Sequence, residues 1–107
     1  MYGGYVSYVS PLQGSTHSTF NWIVESQGNP ATDPILAWSN GGPGCSGLYG
    51  MGVESGPFVA HADGTLTLSP ISWNSFATVV YFEQPAGACE REPACAILAL
   101  AWRTFSL

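Results

Sequence analysis

Two short segments of the chain, Ile35–Trp38 and residues 77–82, are almost entirely apolar. A strand with one solvated face alternates apolar and polar residues, whereas a strand buried on both faces does not. The two segments therefore predict interior strands of a sheet that is covered on both sides. Between them the sequence offers one short helix, at residues 45–54, which Gly56-Pro57 would end. Because one helix cannot cover both faces of a sheet, we interpret the chain as part of a larger fold.

Further segments have strand patterns of a different kind. Residues 5–9 are rich in Tyr and Val, and residues 19–25 alternate apolar with polar side chains, so we predict two half-buried strands paired antiparallel. Residues 58–60 and 65–68 flank Asp63-Gly64, a dipeptide typical of β-hairpin turns. The predicted fold class is α/β, with mostly strands and one short helix.

The charge of the chain excludes several kinds of partner. It has 107 residues, 7 acidic and 2 basic side chains, and a net charge of -5. Because the two basic residues, Arg91 and Arg103, form no patch, we expect no nucleic-acid partner. No apolar stretch reaches the roughly 20 residues of a membrane span, and the N-terminus has no signal-peptide pattern.

The cysteines and histidines do not form a metal-binding pattern. The three cysteines are Cys45, Cys89 and Cys95, and neither His17 nor His61 completes a pair of zinc ligands with them. We therefore expect no metal site. An odd number of cysteines also means that at least one is free or pairs outside the chain.

A glycine-rich loop at residues 40–47, Asn-Gly-Gly-Pro-Gly-Cys-Ser-Gly, directly follows the first apolar segment. Gly42, Gly44 and Gly47 fit the dinucleotide-binding spacing G-x-G-x-x-G, but the proline in the turn and the short helix make that interpretation a distant third. A phosphate-binding P-loop lacks its lysine, and the sequence misses the G-x-S-x-G nucleophile elbow by one position, so Ser46 is predicted to begin the helix. The remaining interpretation is an oxyanion hole made of backbone N–H groups.

Six ordered motifs resemble the N-terminal part of the serine carboxypeptidases. They are Glu25-Ser26-Gln27, Asn29-Pro30 with Asp33-Pro34, the segment from Trp38 to Ser46, the segment from Glu54 to Phe58, Ser72-Trp73-Asn74, and Glu83-Gln84-Pro85-Ala86-Gly87. The resemblance covers residues 1–87 as the N-terminal segment of an α/β-hydrolase domain. Residues 88–107 diverge into an apolar tail, whose residues 94–102 have the composition of a helix.

The resemblance implies hydrolysis of C-terminal residues from peptides by a serine-type mechanism, without metal or cofactor. It assigns the Gly42 N–H to the oxyanion hole, and Asn40 and Gly41 to the terminal carboxylate of the peptide. Glu54 would pair with a second carboxyl group, which suits acidic pH. The resemblance also implies that Tyr49 and Val53 line the pocket for the leaving residue and that Cys45 pairs with a cysteine beyond this chain. Without the resemblance, these residues could be only turn, helix-end and core residues.

The family's nucleophilic serine, aspartate and histidine have no counterpart in the sequence, so we predict that this chain alone is inactive. Two functions remain. The chain represents a serine carboxypeptidase whose remainder is absent, or it is a non-catalytic interaction module that associates through its apolar tail. The family implies a secretory, vacuolar, lysosomal or extracellular location for the parent enzyme.

Overall fold

A computed structural model gives the fold, and it describes residues 1–41 and 44–88. The main sheet has four strands in the order β1-β2-β6-β3, and a separate hairpin pairs β4 with β5. The bounds are β1 Tyr2–Val9, β2 Thr16–Val24, β3 Ile35–Trp38, β4 Phe58–Ala60, β5 Leu66–Leu68 and β6 Thr78–Phe82. The helix α1 spans Gly47–Gly50 and continues as a π-helical turn, Met51–Ser55, and a short 3-10 turn spans Trp73–Ser75.

The strand pairing is mixed. β1 pairs antiparallel with β2, and β2 pairs antiparallel with β6, whereas β3 pairs parallel with β6. The antiparallel pair predicted near the N-terminus is confirmed, and both of its strands begin three residues earlier than the pattern indicated. The parallel pair needs a crossover, which the segment containing α1 and the β4–β5 hairpin supplies.

One face of the main sheet carries the core. Trp22 and Val24 of β2 and Val79 and Tyr81 of β6 are buried there, together with Leu48 and Met51 from the helical segment. Because β2 and β6 alternate their side chains, these residues lie on one side of the sheet. The predicted short helix is confirmed, and it ends before Gly56-Pro57 as expected.

The opposite face of the sheet is open within the part of the chain that the structure describes. We define the open face by Tyr2, Ile23, Ile35, Ala37 and Val80. Ile35 is 72% exposed and Ala37 is also exposed, so the prediction that β3 is buried on both faces is wrong for these residues. The helical segment covers only the core side, whereas Tyr2, Ile35 and Ala37 stay exposed on the other. The apolar run of β3 thus indicates a cover for this face that is not found among the described residues.

The β4–β5 hairpin turns at Asp63-Gly64, as predicted. Asp63 Oδ1 accepts hydrogen bonds from Thr65 N at 3.0 Å and Thr65 Oγ1 at 2.7 Å. These bonds, and to a smaller extent the charge of His61, lower the pKa of Asp63, which is fully exposed. The Asp63 carboxylate therefore stabilises the turn.

The sequence also predicts a helix in the tail and no membrane span. The predicted helix at residues 94–102 lies outside the described residues. Among the described residues, no helix is long and apolar enough to cross a membrane.

Candidate functional site

Asn40, at the end of β3, has its side chain held by Trp38. The indole Nε1–H of Trp38 donates to Asn40 Oδ1 at 2.5 Å. An indole N–H can only donate, so the amide oxygen must face the indole and the amide nitrogen must point elsewhere. Trp38 and Asn40 are two residues apart in an extended segment and therefore lie on the same side of the chain. Among residues 1–41 and 44–88 no group accepts from the Asn40 amide nitrogen, so its two hydrogens can bind an acceptor.

Helix α1 presses against this pair at a glycine. A Cβ atom added at Gly50 would lie 2.7 Å from Asn40 Oδ1 and closer still to the Trp38 indole nitrogen. Any larger residue at position 50 would displace the pair. Gly50 is consequently part of the local structure that orients the Asn40 amide.

Trp38 is also linked to two distant sequence motifs. Its ring packs edge-on against Trp73, with ring centroids 5.1 Å apart. The neighbouring residue Asn74 donates from Nδ2 to the carbonyl of Glu25 at 3.1 Å, and its own carbonyl accepts from Gln27 N at 2.7 Å. The Glu-Ser-Gln and Ser-Trp-Asn motifs, almost 50 residues apart in sequence, therefore meet where β2 ends and β6 begins, and the Trp73 ring links them to Trp38.

Ser46 begins helix α1, as predicted, and also contacts the end of β6. Its hydroxyl accepts from Leu48 N at 3.1 Å and donates to Glu83 Oε2. Both residues are buried, and Glu83 is only 3% exposed. Its other oxygen, Oε1, is buried without a hydrogen-bond partner among the described residues. The next residue, Gly47, sits against the Phe82 carbonyl so closely that a side chain there would collide with it.

The other predicted site residues lie along the helical segment. Tyr49 and Val53 are four residues apart and are 39% and 42% exposed, so neither is buried among the described residues. Glu54 is exposed on the π-helical turn, four residues after Gly50. This spacing places Glu54 about one turn beyond the point where the helix contacts Asn40.

Gly41 is exposed, and a Cβ atom there would meet no atom within 4 Å. The space above its backbone is therefore open. Gly42, assigned to the oxyanion hole, lies outside the described residues. Cys45 is half-buried and forms no disulfide within the part of the chain that the structure describes.

The surroundings of the loop contain few cationic groups. Residues 1–88 include no Lys or Arg, so only the N-terminus and the two histidines could carry positive charge there. His17 is hydrogen-bonded to Ser15 and His61 to Thr67. Among residues 1–41 and 44–88 there is no group of three or more side chains that could hold a metal ion. Within the described part of the chain, neutral amide and backbone N–H donors are consequently what the site offers to an anion.

Sequence reasoning missed the roles of Trp38 and Gly50. Trp38 entered the sequence analysis only as part of an apolar segment and of a motif, and the structure adds its hydrogen bond to Asn40. The i, i+2 spacing of Trp and Asn at the end of a strand was the available signal. Gly50 had no such signal, because its contact depends on how the helix packs against β3.

The mixed sheet, with a glycine-rich loop after β3 and a short helix on one face, is the N-terminal part of an α/β-hydrolase sheet. The sequence profile of the serine carboxypeptidases matches residues 1–89. The chain belongs to the serine carboxypeptidase family.

Individual relatives are similar over most of this chain. The lysosomal protective protein of Mus musculus is 48% identical over 82 residues, which are 75% of this chain and 17% of that protein. A vacuolar serine-type carboxypeptidase of Saccharomyces cerevisiae is 43% identical over 80% of this chain and 16% of its own length. The crystal structure of a prohormone-processing carboxypeptidase from the same yeast superposes with a TM-score of 0.66 at 32% identity, covering 78% of this chain and 19% of that one. The chain thus spans less than one-fifth of these relatives.

Proposed function

We propose that this chain supplies the carboxylate-binding half of a serine-type carboxypeptidase site, which removes C-terminal residues from peptides. The observation that carries the proposal is the Trp38–Asn40 hydrogen bond. It leaves the Asn40 amide donors beside the exposed Gly41 backbone. A C-terminal carboxylate is the feature that distinguishes the end of a peptide from its interior, and two neutral donors suit its two oxygens.

The remaining roles follow from family membership and extend the proposal. The Gly42 N–H is an oxyanion-hole donor. Glu54, paired with a second carboxyl group outside this chain, helps to bind the C-terminal carboxylate of the peptide. Tyr49 and Val53, exposed on one side of the helical segment, line the pocket for the leaving residue. Cys45 forms a disulfide with a cysteine beyond this chain. No metal or cofactor takes part in the proposed chemistry.

The proposed location is the lysosome, the vacuole or elsewhere in the secretory pathway. It is supported by the names of the lysosomal and vacuolar relatives. Immunofluorescence of the expressed protein against markers of these compartments tests it, and a uniform cytosolic signal would contradict it.

An NMR titration of the full chain tests the binding proposal. The ligand is a blocked dipeptide with a free C-terminal carboxylate, and its comparison ligand is the same dipeptide with a C-terminal amide. We expect the Asn40 side-chain amide and the Gly41 N–H signals to shift with the carboxylate only. Asn40→Ala removes the response, whereas Gln13→Ala, which deletes an exposed amide in the β1–β2 turn, retains it. Equal responses to both dipeptides would contradict the proposal.

A second candidate, a non-catalytic interaction module, is favoured by a different observation. The open face of the sheet is apolar and uncovered among the described residues. What covers that face decides whether this chain can act without the rest of the family fold.

A further inference from the structure

The open face forms a continuous apolar row across the sheet. Tyr2 of β1 faces Ile23 of β2, which faces Val80 of β6, which faces Ala37 of β3. Ile35 extends this row along β3. Tyr2 is 60% exposed and Ile35 is 72% exposed. An apolar row of this kind on all four strands is normally covered in a stable fold.

The row also contains a depression that can receive side chains. A groove of about 270 Å³ lies beside Tyr2, Gly4, Val6, Asn21 and Ile23. It is open at Gly4, where an added Cβ would meet nothing within 4 Å. The lining has no charged side chain and, apart from the amide of Asn21, is mostly apolar, so the groove suits an uncharged side chain rather than an ion.

We propose that residues 94–102 of the same chain, Ala-Cys-Ala-Ile-Leu-Ala-Leu-Ala-Trp, pack on the open face and cover it. This segment has no charged residue, and it begins twelve residues after the last residue of β6. On the other face, the helical segment with Leu48 and Met51 already covers the core of β2 and β6. The open face is an apolar surface on all four strands that no helix among the described residues covers.

The length of chain between the two is sufficient. Residues 89–93 span at most about 17 Å when extended. The four strands of the sheet lie about 14 Å apart from first to last. Residues 89–93 are therefore long enough to span the width of the sheet.

The charges favour this segment over a second copy of the chain. Residues 1–88 hold five acidic and no basic side chains, whereas residues 89–107 hold two of each, including both arginines, Arg91 and Arg103. Two sheets that approach face to face would bring two negative charge clouds together. Residues 89–107 carry no net side-chain charge, so they approach the sheet without this repulsion. Because they are tethered to the sheet, their effective concentration is also high.

Thiol reactivity tests the proposal on the full chain. The native cysteines are first replaced by Cys45→Ser, Cys89→Ser and Cys95→Ala. Ala37→Cys then places one thiol on the open face, and Leu12→Cys places the reference thiol in the β1–β2 turn, where Leu12 is 94% exposed. We expect Ellman's reagent to modify the thiol at position 37 more slowly than the thiol at position 12, by about tenfold at least, because modification at position 37 requires local opening.

A pair of tail variants identifies the occupant. Leu98→Glu puts a charge into the apolar segment and should return the rate at position 37 to that at position 12. Ser106→Glu makes the same charge change outside the segment and should leave the protection in place. Circular dichroism accompanies each measurement.

Three outcomes would contradict the proposal. Equal rates at positions 37 and 12 would overturn the proposal, whether the chain shows a folded spectrum or none. Protection that survives Leu98→Glu would overturn it as well. Protection that appears only at high protein concentration, with elution as a dimer, would identify a second copy as the cover instead.

Discussion

Ser46 and Glu83, 37 residues apart in sequence, are joined by a buried hydrogen bond from the serine hydroxyl to Glu83 Oε2. The same hydroxyl accepts from Leu48 N at the start of α1. One side chain therefore connects the helix that follows the glycine-rich loop to the end of the central strand β6. Since the loop is held at its other end by β3, which pairs with β6, both ends of the loop depend on this strand.

Ser46→Ala should reveal the strength of this connection. The variant loses the helix cap and leaves a buried carboxyl group with one hydrogen bond fewer, which together cost about 2–3 kcal/mol of unfolding free energy. Urea denaturation followed by circular dichroism measures the loss. Ser7→Ala is the matched control, because Ser7 makes an exposed bond to Ser18 and should change stability little. A Ser46→Ala chain as stable as Ser7→Ala would show that the bond is unimportant.

Trp38→Phe should separate binding from packing. Phenylalanine keeps an aromatic ring against Trp73 but cannot donate to Asn40 Oδ1, so the amide is free to rotate. We expect the response of the Asn40 amide to a carboxylate dipeptide to weaken about fivefold or more, the order of one hydrogen bond. Trp73→Phe is the control that alters the same ring pair and keeps the bond. If both variants bind alike, the indole N–H does not position Asn40.

Local sequence patterns predicted the elements but not the contacts that position the site. Alternation in β2, the Asp63-Gly64 turn and the Ser46 cap depend on neighbours in sequence, and each is confirmed. The Ser46–Glu83 and Gly50–Asn40 contacts join segments far apart in the chain, so no periodicity encodes them. The burial expected for β3 depends on a cover that lies outside the described residues, which is why its exposure could not be predicted.

Alkaline pH should destabilise the chain through Tyr81. This side chain is fully buried, and burial raises its pKa, while its bond to Ser55 Oγ opposes the shift to a smaller extent. The unfolded chain ionises its tyrosines near pH 10, whereas folded Tyr81 stays neutral at that pH. Its contribution to stability is therefore present below about pH 10 and is lost as the pH rises towards the folded pKa.

Urea midpoints measured from pH 8 to 11 give this dependence directly. Tyr81→Phe should reduce the fall above pH 10, although it also removes the bond to Ser55 and lowers stability at every pH. Tyr5→Phe changes a side chain that is 75% exposed and should leave the fall intact. An unchanged profile in Tyr81→Phe would assign the alkaline loss to other groups.

The full chain should not hydrolyse peptides. No serine lies in a G-x-S-x-G elbow, and an oxyanion hole without a nucleophile cannot form an acyl-enzyme. Within the described part of the chain, one serine–histidine contact resembles a nucleophile and its base, Ser15 Oγ to His17 Nε2 at 2.8 Å, and it lies in the β1–β2 hairpin, outside the glycine-rich loop. Incubation with a blocked dipeptide at pH 5 and pH 7, followed by mass spectrometry, should show no release beyond buffer. Release that a serine-directed inhibitor stops would contradict this, and its persistence in Ser15→Ala would exclude the hairpin serine as its source.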